Sequence, residues 1–340
     1  MGNPKLLSLG FAVPPKAYTQ DEICDLLGYK SKKTRSIFHN AQIDRRHLWT
    51  IPVGKSWNEL LQEYKEGAQW LSLKAIEQCL HGSDDIGLIV FASTTGFQCP
   101  AMSYRIAAAL HLPPEVEHFD LVGAGCQSSA PALRRAWDFT KLTGESSLVV
   151  STEVCSVTYY PASEDDLENT VACAIFGDGA GACLVGYDEV WWHPEIVDFE
   201  SQFDPRYVDM LGYEWVEGRL KVVLSREVPR VAPLVLGPLL DRLLSRNCLT
   251  LEQIEHLVIH PGGAAVLNSI KDAFSIPEKK LEPSRRILRE FGNVSSATIA
   301  GVGSVVRNQA KPGEYILVLT MGAGFSASGI LLRFGGNITA

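Results

Sequence analysis

At 340 residues, with 46% hydrophobic and 21% charged side chains, the chain can bury a large core and is expected to hold one big domain or two related halves. A net charge of -8 and a pI near 5.5 set its overall field against a nucleic-acid partner, whose phosphates it would repel. No stretch reaches the roughly 18 uninterrupted apolar residues of a membrane helix, and residues 1–9 lack the charged-then-apolar layout of a signal peptide, so a cytoplasmic protein with no membrane partner is expected.

Apolar runs bounded by turn residues alternate with helical patterns, which reads as α/β. A helix is expected over 59–80, then a strand at 86–92 and a helix at 103–110. A glycine turn ending at Gly125 leads into a helix over 126–142, followed by strands at 147–151 and 180–185. Segment 191–220, rich in aromatics and acids, shows no catalytic pattern and is expected to shape a pocket wall or a subunit contact. Downstream come a helix over 232–247 that Pro238 bends or whose early turns it marks, a strand at 257–260, a helix over 263–273 and a strand at 315–320.

One internal echo bears on the fold. Asp85-Ile-Gly-Leu-Ile-Val-Phe resembles Gln253-Ile-Glu-His-Leu-Val-Ile, and 149–186 resembles 316–334, each carrying a Gly-rich turn that feeds an apolar strand. Two similar halves follow, 1–188 and 189–340, meeting near 186–191. The eight cysteines (24, 79, 99, 126, 155, 173, 183 and 248) form no Cys-x-x-Cys pair, so neither a metal site nor a disulfide framework is expected.

Three short stretches could carry chemistry. In Leu121-Val-Gly-Ala-Gly-Cys126-Gln-Ser-Ser-Ala a strand end and a glycine turn deliver a cysteine to a helix start. Free N–H groups and the helix dipole there favour thiolate and should hold the thiol below its usual pKa of about 8.5, the alternative being a buried structural cysteine. Val258-Ile-His260-Pro-Gly-Gly places a histidine just past a buried strand, where it is either a site residue or a hydrogen-bonded structural group. Glu290-Phe-Gly-Asn293-Val-Ser-Ser-Ala places an amide beside a glycine, where a plain turn is the simpler reading. Together the three supply what acyl transfer followed by decarboxylative attack requires. Cysteine forms the thioester, and imidazole and amide donate hydrogen bonds to the carbonyl that becomes an enolate as CO2 leaves. The acyl oxyanion would sit against the Cys126 N–H and the turn from Gly322 to Gly324. An amide cannot shuttle protons, which argues against a non-decarboxylating thiolase.

At these residues the chain resembles the ketosynthases with a Cys-His-Asn triad. His260-Pro-Gly-Gly, Gly292-Asn-Val-Ser-Ser-Ala and Ser36-Ile-Phe-His-Asn-Ala-Gln-Ile-Asp-Arg-Arg-His look like type III polyketide synthases, the chalcone and stilbene synthase family. The resemblance implies a thiolase fold, five αβαβα layers with two pseudo-duplicated halves, and a homodimer using acyl thioesters on CoA or acyl carrier protein without a further cofactor. It implies Phe176 as a gatekeeper, core packing beside a glycine turn being the plainer alternative, Thr94, Thr158 and Ser295 as pocket lining, Cys99 crossing the dimer interface, and Val222 as a second gatekeeper. Lys33, Arg35, Arg45 and Arg46 would form the CoA or carrier entrance, a solvated basic face being the plainer alternative. Two stretches depart from the pattern. The family's Gly-Phe-Gly-Pro-Gly loop reads Thr320-Met-Gly-Ala-Gly-Phe, and the ending Gly324-Phe-Ser-Ala-Ser-Gly-Ile is similar to β-ketoacyl-acyl-carrier-protein synthase III. The functions this leaves open are a polyketide synthase closing pyrones or resorcinols, a ketosynthase performing one condensation or joining two carrier-bound chains into a pyrone, and an inactive subunit completing a partner's pocket.

Overall fold

The computed structural model describes residues 2–80, 85–160, 162–163, 165–190 and 192–335. In chain order the first part of the chain forms β1 (Lys5–Ala12), β2 (Ala17–Thr19), α1 (Gln20–Leu27), α2 (Lys32–His39), β3 (Arg45–His47), α3 (Trp57–Ile76), β4 (Ile86–Ser93), α4 (Met102–Ala109), β5 (Glu117–Val122), α5 (Ser129–Thr143), β6 (Ser146–Val154), α6 (Leu167–Ile175) and β7 (Asp178–Gly186). The rest forms β8 (Glu195–Phe203), β9 (Leu211–Val216), β10 (Arg219–Leu224), α7 (Val228–Arg246), β11 (His256–Ile259), α8 (Ala264–Ala273), α9 (Glu278–Phe291), α10 (Thr298–Arg307), β12 (Tyr315–Gly322) and β13 (Ser326–Arg333). Every strand and helix expected above has a counterpart here. The segment start at Trp191 lies outside the described residues.

Nine strands hydrogen-bond in the order β11-β12-β13-β8-β1-β7-β6-β4-β5. The order β1-β7-β6-β4 is matched by β8-β13-β12-β11, antiparallel at the first two contacts and parallel at the third. The two groups join through one residue pair, Lys5 with Glu195.

Period-2 burial explains why these strands read as unbroken apolar runs. On β4, Leu88, Val90 and Ala92 face a core shared with α5, β11, β12 and α10, while Ile89 and Phe91 face the opposite side with α3. On β12, Ile316 and Val318 enter that shared core, while Leu317, Leu319 and Met321 pack on the face toward α7. The layers are therefore α3, a sheet, the pair α5 and α10, a second sheet, and α7. A capping box between Ser56 and Glu59 starts α3, and Gly144 in the left-handed conformation ends α5. Both Pro233 and Pro238 lie inside α7, which begins at Val228, so Pro238 falls in its middle rather than its early turns.

Candidate active site

The nucleophile candidate follows β5. The helix expected from residue 126 starts instead at Ser129, because Gly125 has φ 66° and residues Gly125–Gln127 form a tight 3-10 turn first. Cys126 is thus held just before the α5 N-terminus, 7% exposed. Its thiol is not lowered as the sequence led us to expect. Burial pushes it up to about 12, the Ser295 hydroxyl and the Asn293 amide pull it down, and the Glu153 carboxylate adds to the rise.

His260 sits immediately after β11, with its N–H donating to Leu319 O at 2.8 Å. Burial holds the imidazole down at about 4, and among the described residues its Nδ1 has no hydrogen-bond partner. Asn293 follows Gly292, whose φ of 75° and ψ of -166° end α9 in a conformation open to glycine. Its N–H donates to Ile175 O at 2.8 Å and its carbonyl accepts from Gly177 N at 3.0 Å, so residues 176 and 293 form a parallel bridge. Asn293 Oδ1 accepts from Ser295 N at 2.9 Å, and Nδ2 makes one long contact to Gly262 O, 3.4 Å.

Cys126, His260 and Asn293 come from three separate excursions of the chain and line one cavity of about 30 Å³, together with Phe176, Leu211, Met321 and Phe325. Leu224, Val228, Gly262 and Val266 are common to this space and to an adjoining cavity of about 370 Å³. A third cavity of about 490 Å³ is walled by Thr94, Gly96, Tyr213, Trp215 and Ala323 on the side of the nucleophile turn. Thr94 reaches that turn directly, its Oγ1 accepting from Gly125 N at 3.0 Å. A further apolar cavity of about 100 Å³ in the central layer touches none of the candidate residues.

Sequence reasoning missed Glu153, a wholly buried carboxylate at the end of β6. One oxygen accepts from Thr94 N (3.0 Å), Thr95 N (3.1 Å) and Thr95 Oγ1 (2.9 Å), the other from Ser295 Oγ (3.2 Å) and Ser296 Oγ (2.7 Å). Burial raises its pKa while these donors oppose the rise. It thereby links the loop after β4 to the segment after Asn293. An acid closing the apolar run that starts at Ser147 was the available signal.

The other candidates scatter. Thr158 is buried and donates to Cys155 O at 2.8 Å. Val222 is buried on β10 but does not line the triad cavity, where Leu224 of the same strand does. Cys99 is exposed, and Gly322 and Gly324 flank Ala323 beside the nucleophile turn. Lys33 is exposed on α2, Arg45 is exposed on β3, and Arg35 is clamped by Asp21 (2.7 Å) and Asp25 (2.6 Å). None of the three lines the adjoining 370 Å³ cavity, whose charged lining residues among those described are Glu168 and Arg226.

Arg46 is a correction. It is 0% exposed and cannot meet a carrier at the surface. Its Nη1 donates to Tyr159 Oη (3.1 Å), Phe176 O (2.8 Å) and Cys173 O, and Nη2 donates to Gln20 Oε1 (2.7 Å). The guanidinium therefore satisfies the Cys173 carbonyl in the last turn of α6, which has no intrahelical partner, and the Phe176 carbonyl just beyond it.

Two family models match the chain, chalcone and stilbene synthases N-terminal domain over residues 57–189 and the corresponding C-terminal domain over 197–340. The 1,3,6,8-tetrahydroxynaphthalene synthase of Streptomyces peucetius subsp. caesius is 30% identical over 350 residues, 95% of this chain and 91% of that protein. The 3,5-dihydroxyphenylacetyl-CoA synthase of Amycolatopsis balhimycina is 28% identical over 348 residues, 97% of this chain and 93% of its own. Among solved structures, the C-terminal type III polyketide synthase domain of Steely1 from Dictyostelium superposes with a TM-score of 0.88 at 24% identity, covering 98% of this chain and 100% of that one, and shares its thiolase fold.

Proposed function

Because the chain belongs to the chalcone and stilbene synthase family of type III polyketide synthases, we propose that Cys126 carries the growing acyl chain while His260 and Asn293 hold the enolate oxygen of an incoming malonyl unit. The observation that carries this is the single small cavity lined by all three side chains and Phe176. The enzyme is an acyltransferase that condenses thioesters in polyketide biosynthesis. The Cys126 sulfur attacks a thioester carbonyl and the carrier thiol leaves. Malonyl thioester then loses CO2, and its α-carbon attacks the acyl-cysteine carbonyl. The C–S bond to Cys126 breaks, and the chain leaves two carbons longer on the second carrier.

The environment of His260 suits this part. An orphaned lone pair at Nδ1 costs less than an orphaned N–H, which leaves Nε2 to carry the proton of the neutral ring and donate to the enolate. Asn293 Oδ1 is occupied by Ser295, so its amide turns N–H groups toward the cavity. The raised Cys126 pKa means that loading needs an acceptor for the thiol proton on its way to the leaving carrier thiol.

Resorcinol closure is favoured over pyrone closure by the relative whose product carries a 3,5-dihydroxyphenyl ring, a resorcinol, on CoA. The same name favours CoA over a carrier protein. A homodimer is favoured by β5 forming the sheet edge, with Phe97 (68% exposed), Tyr104, Phe119 and Val122 exposed around Cys99. The halves 1–188 and 189–340 rest on the matching strand orders, and Thr94, Thr158 and Ser295 remain our pocket assignment. The proposed chemistry needs no metal, since loss of CO2 itself generates the carbanion.

Intact-mass measurement with acyl-CoA and acyl-carrier thioesters tests the reading. Cys126→Ala should gain no acyl mass, and His260→Ala should still load but not condense. An acyl adduct on Cys126→Ala would sink it.

A further inference from the structure

The unusual ending Gly324-Phe-Ser-Ala-Ser-Gly has a partner in the residue that follows the nucleophile. Two turns meet backbone to backbone here. A Cβ on Gly322 would lie 2.7 Å from both Ala124 O and Gln127 N, and one on Gly125 would lie 2.5 Å from Ala323 N. Such close approach leaves no side chain between the turns to hold their register. What holds it is polar. Gln127 Nε2 donates to Ser326 Oγ, Ser328 Oγ donates to Gln127 Oε1 at 2.9 Å, and Ser326 Oγ donates on to Ala323 O at 2.8 Å. Within the turn thus tied, Phe325 has φ 30°, a value a non-glycine residue keeps only when its surroundings impose it.

We propose that Gln127 is a positioning residue: its carboxamide, bonded to Ser326 and Ser328, latches the 322–325 turn onto the nucleophile turn and so fixes the amides that receive the acyl oxyanion. This rests on Cys126 being the acylated residue. The latch stands where the resembling family loop has a proline at the place of Ala323, so a side-chain tie does the stiffening that ring geometry would do. Gln127 touches no substrate. Its effect passes through backbone donors, whose strength at an oxyanion depends on placement within a fraction of an ångström.

The test compares two reactions of one sulfur. Acylation by acyl-CoA builds an oxyanion, whereas alkylation by iodoacetamide does not. Gln127→Met keeps length and removes both bonds. It should slow acylation at saturating acyl-CoA about tenfold or more, measured by quenched intact mass, while alkylation stays within about twofold of the parent. Ser326→Ala, which cuts the same tie from the other side, should show the same split, and the double variant should be no slower than the slower single one. Parent-like acylation in Gln127→Met, or acylation and alkylation falling in parallel in both variants, would overturn the latch. A Cys126→Ala protein that still acylates would instead overturn the reading of the nucleophile.

Discussion

Removing the Arg46 guanidinium separates two incompatible roles for that residue. As a surface clamp for CoA, its loss would raise KM and leave stability alone; as the buried tie seen here, the reverse holds. In Arg46→Met the stem is kept and four hydrogen bonds are lost. Phe176 O retains the Tyr159 hydroxyl, whereas Cys173 O and Gln20 Oε1 are left buried without this donor. Two orphaned acceptors cost about 1–3 kcal/mol each, offset in part because a buried charge disappears and because Arg46 Nε has no partner to lose. The net expectation is a loss of about 2–4 kcal/mol, a large share of the roughly 5–15 kcal/mol of a typical domain. Urea unfolding of the two proteins, followed by KM for the best acyl-CoA, measures both. Stability within about 0.5 kcal/mol of the parent together with a raised KM would refute the buried role.

Three further outcomes follow from the geometry. The folded pKa of His260 lies below its unfolded value, so the unfolded chain binds more protons between them, and stability present above pH 6.5 is lost as pH falls toward 4. A drop from 6.5 to about 4 corresponds to about 3 kcal/mol, so the parent should lose that much more than His260→Gln between pH 7 and pH 4 in urea titrations; parallel profiles would contradict the burial argument. Gly322→Ala puts a methyl 2.7 Å from Ala124 O and Gln127 N, and should cut acylation of Cys126 at least about tenfold, read by intact mass; a parent-like rate would mean the turns do not set the donors. Phe97→Asp charges the exposed apolar edge and should give monomers by sedimentation at micromolar concentration, whereas an unchanged dimer would move the interface elsewhere.

Much of the fold was legible because β4, β6, β7 and β12 are buried on both faces and read as apolar runs. Strands β5 and β8, only partly buried, carry mixed sequences that gave no such signal. The Arg45-Arg46 doublet shows why a charge pattern alone misleads. On β3 successive side chains point to opposite faces, so Arg45 goes to solvent and its neighbour into the core, a difference no composition encodes. The helix start after Cys126 was misplaced because the positive φ of Gly125 spends one turn before regular helix begins. For the candidate site, residue types announced the kind of chemistry, but the common cavity arises from the ends of β5, β11 and α9 converging, which is a property of the sheet order. Glu153 stayed hidden because a single acid at a strand end has no meaning until the donors around it are assembled.

The main-chain pairing of residue 176 with residue 293 restricts how this scaffold can be recombined. A hybrid that takes its first portion from one relative and its second from another, spliced between β7 and β8, would bring the cavity-lining aromatic at 176 and the amide proposed as enolate donor at 293 from different parents to the same pair of peptide groups. Any mismatch in how far the segment after α6 advances would tilt that amide as well as the aromatic ring. Product range and turnover should therefore drift together in such hybrids, unless the stretch after α6 and the stretch after α9 are transplanted as one unit.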